Sequence, residues 1–145
     1  MPSESKVYFF FEYRSIQLKE RTKLKRFIEL IMRKEKQPLQ SLNYIFCTDD
    51  RLLEINRQFL RHDFYTDIIT FDLSVGSLTQ GEVYISLDRV RDNAKRMKQT
   101  LNSELLRVIF HGALHLCGYK DKTPRDERLM RQKEDEYLKR YKSFT

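Results

Sequence analysis

Residues 101–121 read LNSELLRVIFHGALHLCGYKD. Leu105, Leu106, Val108, Ile109, Phe110, Ala113, Leu114 and Leu116 put apolar side chains nearly all round a helix, and such a helix belongs inside a protein. Two of the chain's 3 histidines, His111 and His115, stand in it four residues apart. That spacing sets both imidazoles on one face, one turn apart. Gly112 lies between them, where glycine costs a helix roughly 1 kcal/mol relative to alanine. A glycine at a costly place suggests close approach by a strand or by substrate. Gly118 suits the left-handed residue that ends a helix, and the turn it makes brings Asp121 back toward the histidines.

Two histidines at this spacing can supply two nitrogen ligands to one ion. The ordinary alternative is a pair of core histidines, each hydrogen-bonded to a neighbour. The run His111-x-x-x-His115-x-x-Gly118-x-x-Asp121 keeps the metzincin zinc spacing, with an aspartate for the third histidine. Three protein ligands with an open position define a catalytic zinc site, and a carboxylate oxygen is an acceptable ligand. Two histidines and one carboxylate also suit iron and other divalent ions. The glutamate that serves zinc peptidases as general base would follow the first histidine. Gly112 stands there, which argues against a peptidase. Cys117 is expected to be a small buried residue, and His62 a surface residue in a polar loop.

Working outward, Val7–Tyr13 reads as a strand. Leu24, Phe27, Ile28 and Ile31 mark one face of a helix over about 18–36, which Pro38 prevents from continuing. Leu42–Thr48 is a second strand. Thr48-Asp49-Asp50 offers capping side chains for a helix over about 50–60. Ile68–Phe71 and Glu82–Ser86 are strands joined by a loop, so an antiparallel pair is expected. Leu87, Val90, Ala94 and Met97 mark a helix over about 87–98. Thr123 and Pro124 open a last helix of about 124–141. The order β-α-β-α-β-β-α-α-α predicts a single α+β domain over residues 1–145, a small four-stranded mixed sheet packed with about five helices.

The chain has 145 residues, enough for one domain with its own core. Hydrophobic residues make up 40% and aromatic ones 12%, which excludes a disordered chain. The longest apolar run, Val7–Phe11, falls far short of the ~20 residues of a membrane span. No leader pattern opens the sequence, and two cysteines, Cys47 and Cys117, make no disulfide framework. A cytoplasmic protein is expected. The net charge is +7, which favours polyanions. Most of it comes from residues 14–36, with nine Lys or Arg against three Glu, and from 88–98, with five against two Asp. Lys23, Lys25, Arg26, Arg89 and Arg91 are therefore candidates for tracking RNA phosphates.

The segment His111-Gly112-Ala113-Leu114-His115-Leu116-Cys117-Gly118-Tyr119 resembles the signature H-G-x-L-H-L-x-G-Y-D-H of the YbeY family of endoribonucleases. Ile55-Asn56 with Thr66-Asp67-Ile68-Ile69-Thr70-Phe71, and Gly81-Glu82-Val83-Tyr84-Ile85-Ser86, are similar to two further blocks of that family. The resemblance spans roughly residues 42–138. It departs at Asp121, where the family has its third histidine, and at Lys120, Leu60 and Asp72. Leu60 holds the place of a family arginine, with Arg61 one residue later.

The resemblance implies a hydrolase cutting single-stranded RNA, with a role in 3′-end maturation of small-subunit ribosomal RNA and in ribosome quality control. The small subunit and its associated proteins would be partners. His111, His115 and Asp121 would hold one divalent ion, with zinc the expected one and the ligand set open to others. Such an ion polarises a phosphoryl oxygen and acidifies water. Arg61 would steady phosphate charge. The competing expectation is an RNA-binding assembly factor with a structural ion, although such sites are usually closed by four ligands.

Overall fold

The computed structural model describes residues 5–12 and 16–145. The elements come in the expected order: β1 (Val7–Phe11), α1 (Arg21–Lys34), β2 (Leu39–Cys47), α2 (Asp49–Leu60), β3 (Ile68–Asp72), β4 (Thr79–Ser86), α3 (Leu87–Arg96), α4 (Leu101–Leu116) and α5 (Pro124–Ser143). Tyr13 and Arg14, which the sequence reading placed in the first strand and the basic segment, lie outside the described residues. Two strands start earlier than expected, β2 directly after Pro38 and β4 at Thr79, because Leu39 and Thr79 pair with each other. The first helix is shorter than expected, since Glu20 at its N-terminus takes a left-handed conformation, φ 51°.

The strands lie in the order β1-β2-β4-β3. β1 runs parallel to β2 and β2 parallel to β4, while β3 returns antiparallel to β4. Successive strand residues point to opposite faces. Tyr44, Phe46, Val83 and Ile85 join one core with the apolar stripes of α1, α3, α4 and α5. Cys47, Ile69, Phe71 and Tyr84 turn the other way and pack with Leu52 and Ile55 of α2. The hydroxyl of buried Tyr44 donates to the Ile109 carbonyl of α4 at 2.8 Å, fixing that helix over the middle of the sheet. Among the described residues no helix is long and apolar enough to cross a membrane.

Threonine or serine side chains cap four helices. Thr48, Ser86, Thr100 and Thr123 accept from the backbone N–H groups of Arg51, Arg89, Ser103 and Asp126 at 3.1–3.2 Å. These are the caps that satisfy otherwise orphaned amides.

The approach that Gly112 allows is that of a strand. A Cβ there would lie 2.8 Å from Val83 Cγ1 and 3.2 Å from Ile68 Cδ1. Overpacking of this kind typically costs about 1–3 kcal/mol, against a helix-propensity gain of at most ~1 kcal/mol. Gly112→Ala should therefore destabilise the protein by about 1–2 kcal/mol, read as a melting temperature lower by roughly 2–8 °C. Combining it with Val83→Ala should cost less than the sum of the two, because the second change removes the nearest obstacle. Strict additivity would show that the contact does not limit packing.

A second tie bears on the turn after α4. Tyr119 donates to Glu35 Oε1 at 2.7 Å, and Tyr137 of α5 donates to Glu35 Oε2. Burial would push the Glu35 carboxyl up, but the two phenols and the Lys133 charge hold it below the ordinary carboxylate range. The end of α1, the turn after α4 and the middle of α5 are thus joined at one carboxylate.

Candidate metal centre and its cleft

α4 ends in a Schellman turn. Gly118 N–H bonds to the His115 carbonyl at 3.0 Å and Tyr119 N–H to the Leu114 carbonyl at 3.2 Å, and Gly118 has φ 102°. That conformation favours glycine. The reversal brings Asp121 Oδ2 to 3.2 Å from His111 Nε2. The His111 and His115 rings lie nearly parallel, 9° apart, with centroids 6.2 Å from each other.

The other nitrogen of His111 is engaged from behind. Nδ1 lies 2.6 Å from Glu134 Oε2 of α5, and the Glu134 side chain is only 7% exposed. Arg107 holds Glu134 Oε1 at 2.9 Å with one arm and Asp135 at 2.6 Å with the other. A neutral imidazole carries one N–H. When His111 gives it to Glu134, Nε2 turns a lone pair toward the Asp121 carboxylate. That arrangement calls for a proton or a cation between the two. Burial would lower the His111 pKa, but the hydrogen bond to Glu134 and the charges of Glu134, Asp121 and Asp67 raise it above the ordinary value. Such a carboxylate on the far nitrogen is how metal-binding histidines are commonly oriented.

Among the described residues, no group of three or more His, Cys, Asp or Glu side chains stands arranged to hold a metal ion. The donors come as a tight pair, His111 and Asp121, with His115 one turn along. Their chemistry, imidazole nitrogens and a carboxylate oxygen, suits zinc.

The His111–Asp121 pair divides two hollows. One, of about 220 Å³, includes Asn56, Leu60, His62, Phe64 and His115 in its wall. The other, of about 430 Å³, includes Asp67, Asn93, Glu104, Arg107 and Glu134. Burial pushes the carboxyls of Asp67 and Glu104 up. Asp67 accepts from Asn93 at 3.1 Å.

The remaining sequence candidates fall elsewhere. Arg61 caps α2 in a left-handed conformation, φ 56°. It is exposed and does not line the cleft, although its neighbours Leu60 and His62 do. Lys23 sits 4.4 Å from the Tyr141 ring, Lys25 5.6 Å from Phe9 and Arg26 5.8 Å from Phe144. Arg89 holds Asp49 at 2.7 Å and lies 5.4 Å from the Tyr65 ring. Arg91 is half-buried on α3. None of these five lines either hollow. Cys117 is half-buried, with its thiol pushed up to about 12 by burial.

The sequence reading missed Glu134, and it placed His62 on an ordinary surface. A signal for Glu134 existed: Met130, Glu134, Tyr137 and Tyr141 form the buried face of α5, and a charged residue on an apolar face calls for a partner.

A family model described as Endoribonuclease YbeY matches residues 11–142. A protein named Endoribonuclease YbeY from Cytophaga hutchinsonii is 49% identical over 136 residues, covering 93% of this chain and 95% of its own. One of the same name from Flavobacterium psychrophilum is 49% identical over 123 residues, covering 85% of this chain and 88% of its own. Among solved structures, the solution structure of TM1509 from Thermotoga maritima is similar with a TM-score of 0.66 and 31% identity, covering 93% of this chain and 88% of that one.

Proposed function

This chain belongs to the endoribonuclease YbeY family, and from that membership we propose that it is a metal-dependent endoribonuclease cutting single-stranded RNA. Its place is 3′-end maturation of small-subunit ribosomal RNA and ribosome quality control in the cytoplasm, with the small subunit as its working partner. The observation that carries this reading is His111, gripped at Nδ1 by Glu134 while Nε2 faces Asp121. His111, His115 and Asp121 are the residues that would hold one divalent ion, with zinc the ion we propose among those this donor set accepts. When bound, such an ion supplies Lewis acidity toward phosphoryl oxygen and acidifies water. Glu134 holds the His111 proton at Nδ1 and so keeps Nε2 free. Arg61, one residue from two cleft-lining neighbours, is the candidate to meet a substrate phosphate. Lys23, Lys25, Arg26, Arg89 and Arg91 add to the positive field that draws RNA in.

A peptidase reading has no support from position 112. Val83 and Ile68 crowd that site, so the glutamate of such enzymes has no room there.

Dialysis against a chelator should abolish cleavage of a single-stranded RNA, and one equivalent of zinc should restore it. Cleavage that persists at full rate with metal removed would overturn the metal-dependent mechanism. Stoichiometric metal without cleavage of any RNA would favour a structural ion in an assembly factor.

A further inference from the structure

The loop from Arg61 to Asp67 joins α2 to β3, and buried Asn56 builds it. Asn56 is 1% exposed. Its carbonyl accepts the His62 backbone N–H at 3.1 Å, and its side-chain amide donates to the Phe64 carbonyl at 2.9 Å. One loop contact from the buried side-chain amide and one from the main-chain carbonyl, with Arg61 at positive φ between helix and loop, fix where the next side chains go. The rings of His62 and Phe64 stack, with centroids 5.1 Å apart and planes at 21°. Both rings line the hollow shared with His111, His115 and Asp121. Phe64 is 55% exposed, so the pair offers an open aromatic face.

We propose that the His62–Phe64 ring pair is a base-stacking subsite, seating an unpaired nucleobase of the RNA strand beside the phosphate held near His111. The inference rests on reading the cleft as an RNA-cutting site. A flat apolar ring on a basic protein, next to a phosphodiester centre, calls for a ligand with a π-face and a negative backbone. Single-stranded RNA presents both, and its bases commonly stack on Phe, Tyr and His rings. A duplex keeps its base faces covered, so the subsite also selects unpaired strands. Leu60, Ile68 and Ile69 give the wall around the rings apolar surface, and Thr66 and Thr70 stand among them.

The test separates binding from cutting. Metal-free protein is titrated into a short single-stranded RNA carrying 2-aminopurine among uridines, whose fluorescence falls when the base stacks on a ring. The wild type should bind with quenching. His62→Ala with Phe64→Ala should weaken binding roughly 5- to 100-fold and remove the quench. His62→Phe should keep both, because it preserves the ring and discards the imidazole nitrogens. Both positions are exposed, so melting temperatures should hold within about 2 °C.

Unchanged binding and quenching in the double variant would overturn the proposal. So would a His62→Phe variant that loses binding and quenching as the double variant does, since the nitrogens would then matter and not the stack. Wild type that cuts RNA yet never quenches the probe would remove the subsite and leave the RNA-cutting reading intact. Wild type that neither binds nor cuts single-stranded RNA would remove both.

Discussion

Alanine in place of His115 should reduce RNA cleavage by about 10³-fold or more while leaving the protein folded. Lewis-acid stabilisation of a phosphoryl transition state is worth several kcal/mol, and each 1.4 kcal/mol is roughly a factor of ten in rate. His115 is exposed at the end of α4, so its removal opens no cavity, and circular dichroism and melting should match the wild type. Metal content, measured on the same samples, should fall below one equivalent. Asp121→Ala should behave alike. Asp121→His is the informative companion, because it supplies the imidazole that the family signature carries there. It should bind metal at least as tightly as the wild type. If Asp121→Ala retains full metal and full rate, the third ligand lies elsewhere and the turn after Gly118 has another purpose.

Removing Glu134 should give the second-largest effect, through a different route. Glu134→Ala takes away the acceptor that fixes the His111 tautomer, and loss of such a partner commonly costs 10–100-fold in metal affinity or activity. It also leaves Arg107 with Asp135 alone, so some stability is lost as well. Two readouts distinguish orientation from mere destabilisation. In the metal-free wild type, nitrogen-15 spectra should show His111 carrying its proton on Nδ1 in the neutral form, and Glu134→Ala should move the tautomer toward Nε2.

The pH dependence has a definite sign. Glu134 helps to raise the His111 pKa, and a proton on Nε2 competes with the ion for the same lone pair. Wild-type metal affinity should therefore weaken as pH falls through that raised value. In Glu134→Ala the weakening should begin at lower pH. A pH profile that does not move would show that Glu134 acts only as a packing residue.

Much of this architecture was legible in the chain. Leu24, Phe27, Ile28 and Ile31 announced α1 by spacing alone, Thr123-Pro124 announced the start of α5, and the alternation of Glu82–Ser86 announced a strand. The histidine pair, Gly118 and Asp121 form a local set within eleven residues, so covalent geometry places them together and spacing reveals it. Glu134 and His62 escaped because their meaning is not local. Glu134 reaches His111 only because α5 folds back along α4. His62 lies in the cleft only because Asn56 holds the loop from α2 against the start of β3. Contacts across such distances depend on packing angles that periodicity does not encode. The basic cluster of α1 was legible as charge but not as position. Its side chains lie over the rings of Phe9, Tyr141 and Phe144, away from the cleft.

The carboxylate of Glu35, held by Tyr119 and Tyr137, has a consequence for the kinetics and entropy of ion capture. Tyr119 is two residues from Asp121, so the clamp restrains the peptide that carries this oxygen donor before any cation arrives. A donor preorganised in this way loses little conformational freedom on binding, and the cost of ordering it is met when the chain folds. Cation uptake should then proceed without a slow rearrangement of the turn, at a rate governed by diffusion and by release of the competing proton. Loosening the clamp with Tyr119→Phe would shift that cost from folding to binding, although the lost phenol lies outside both hollows and touches none of the three proposed ligands.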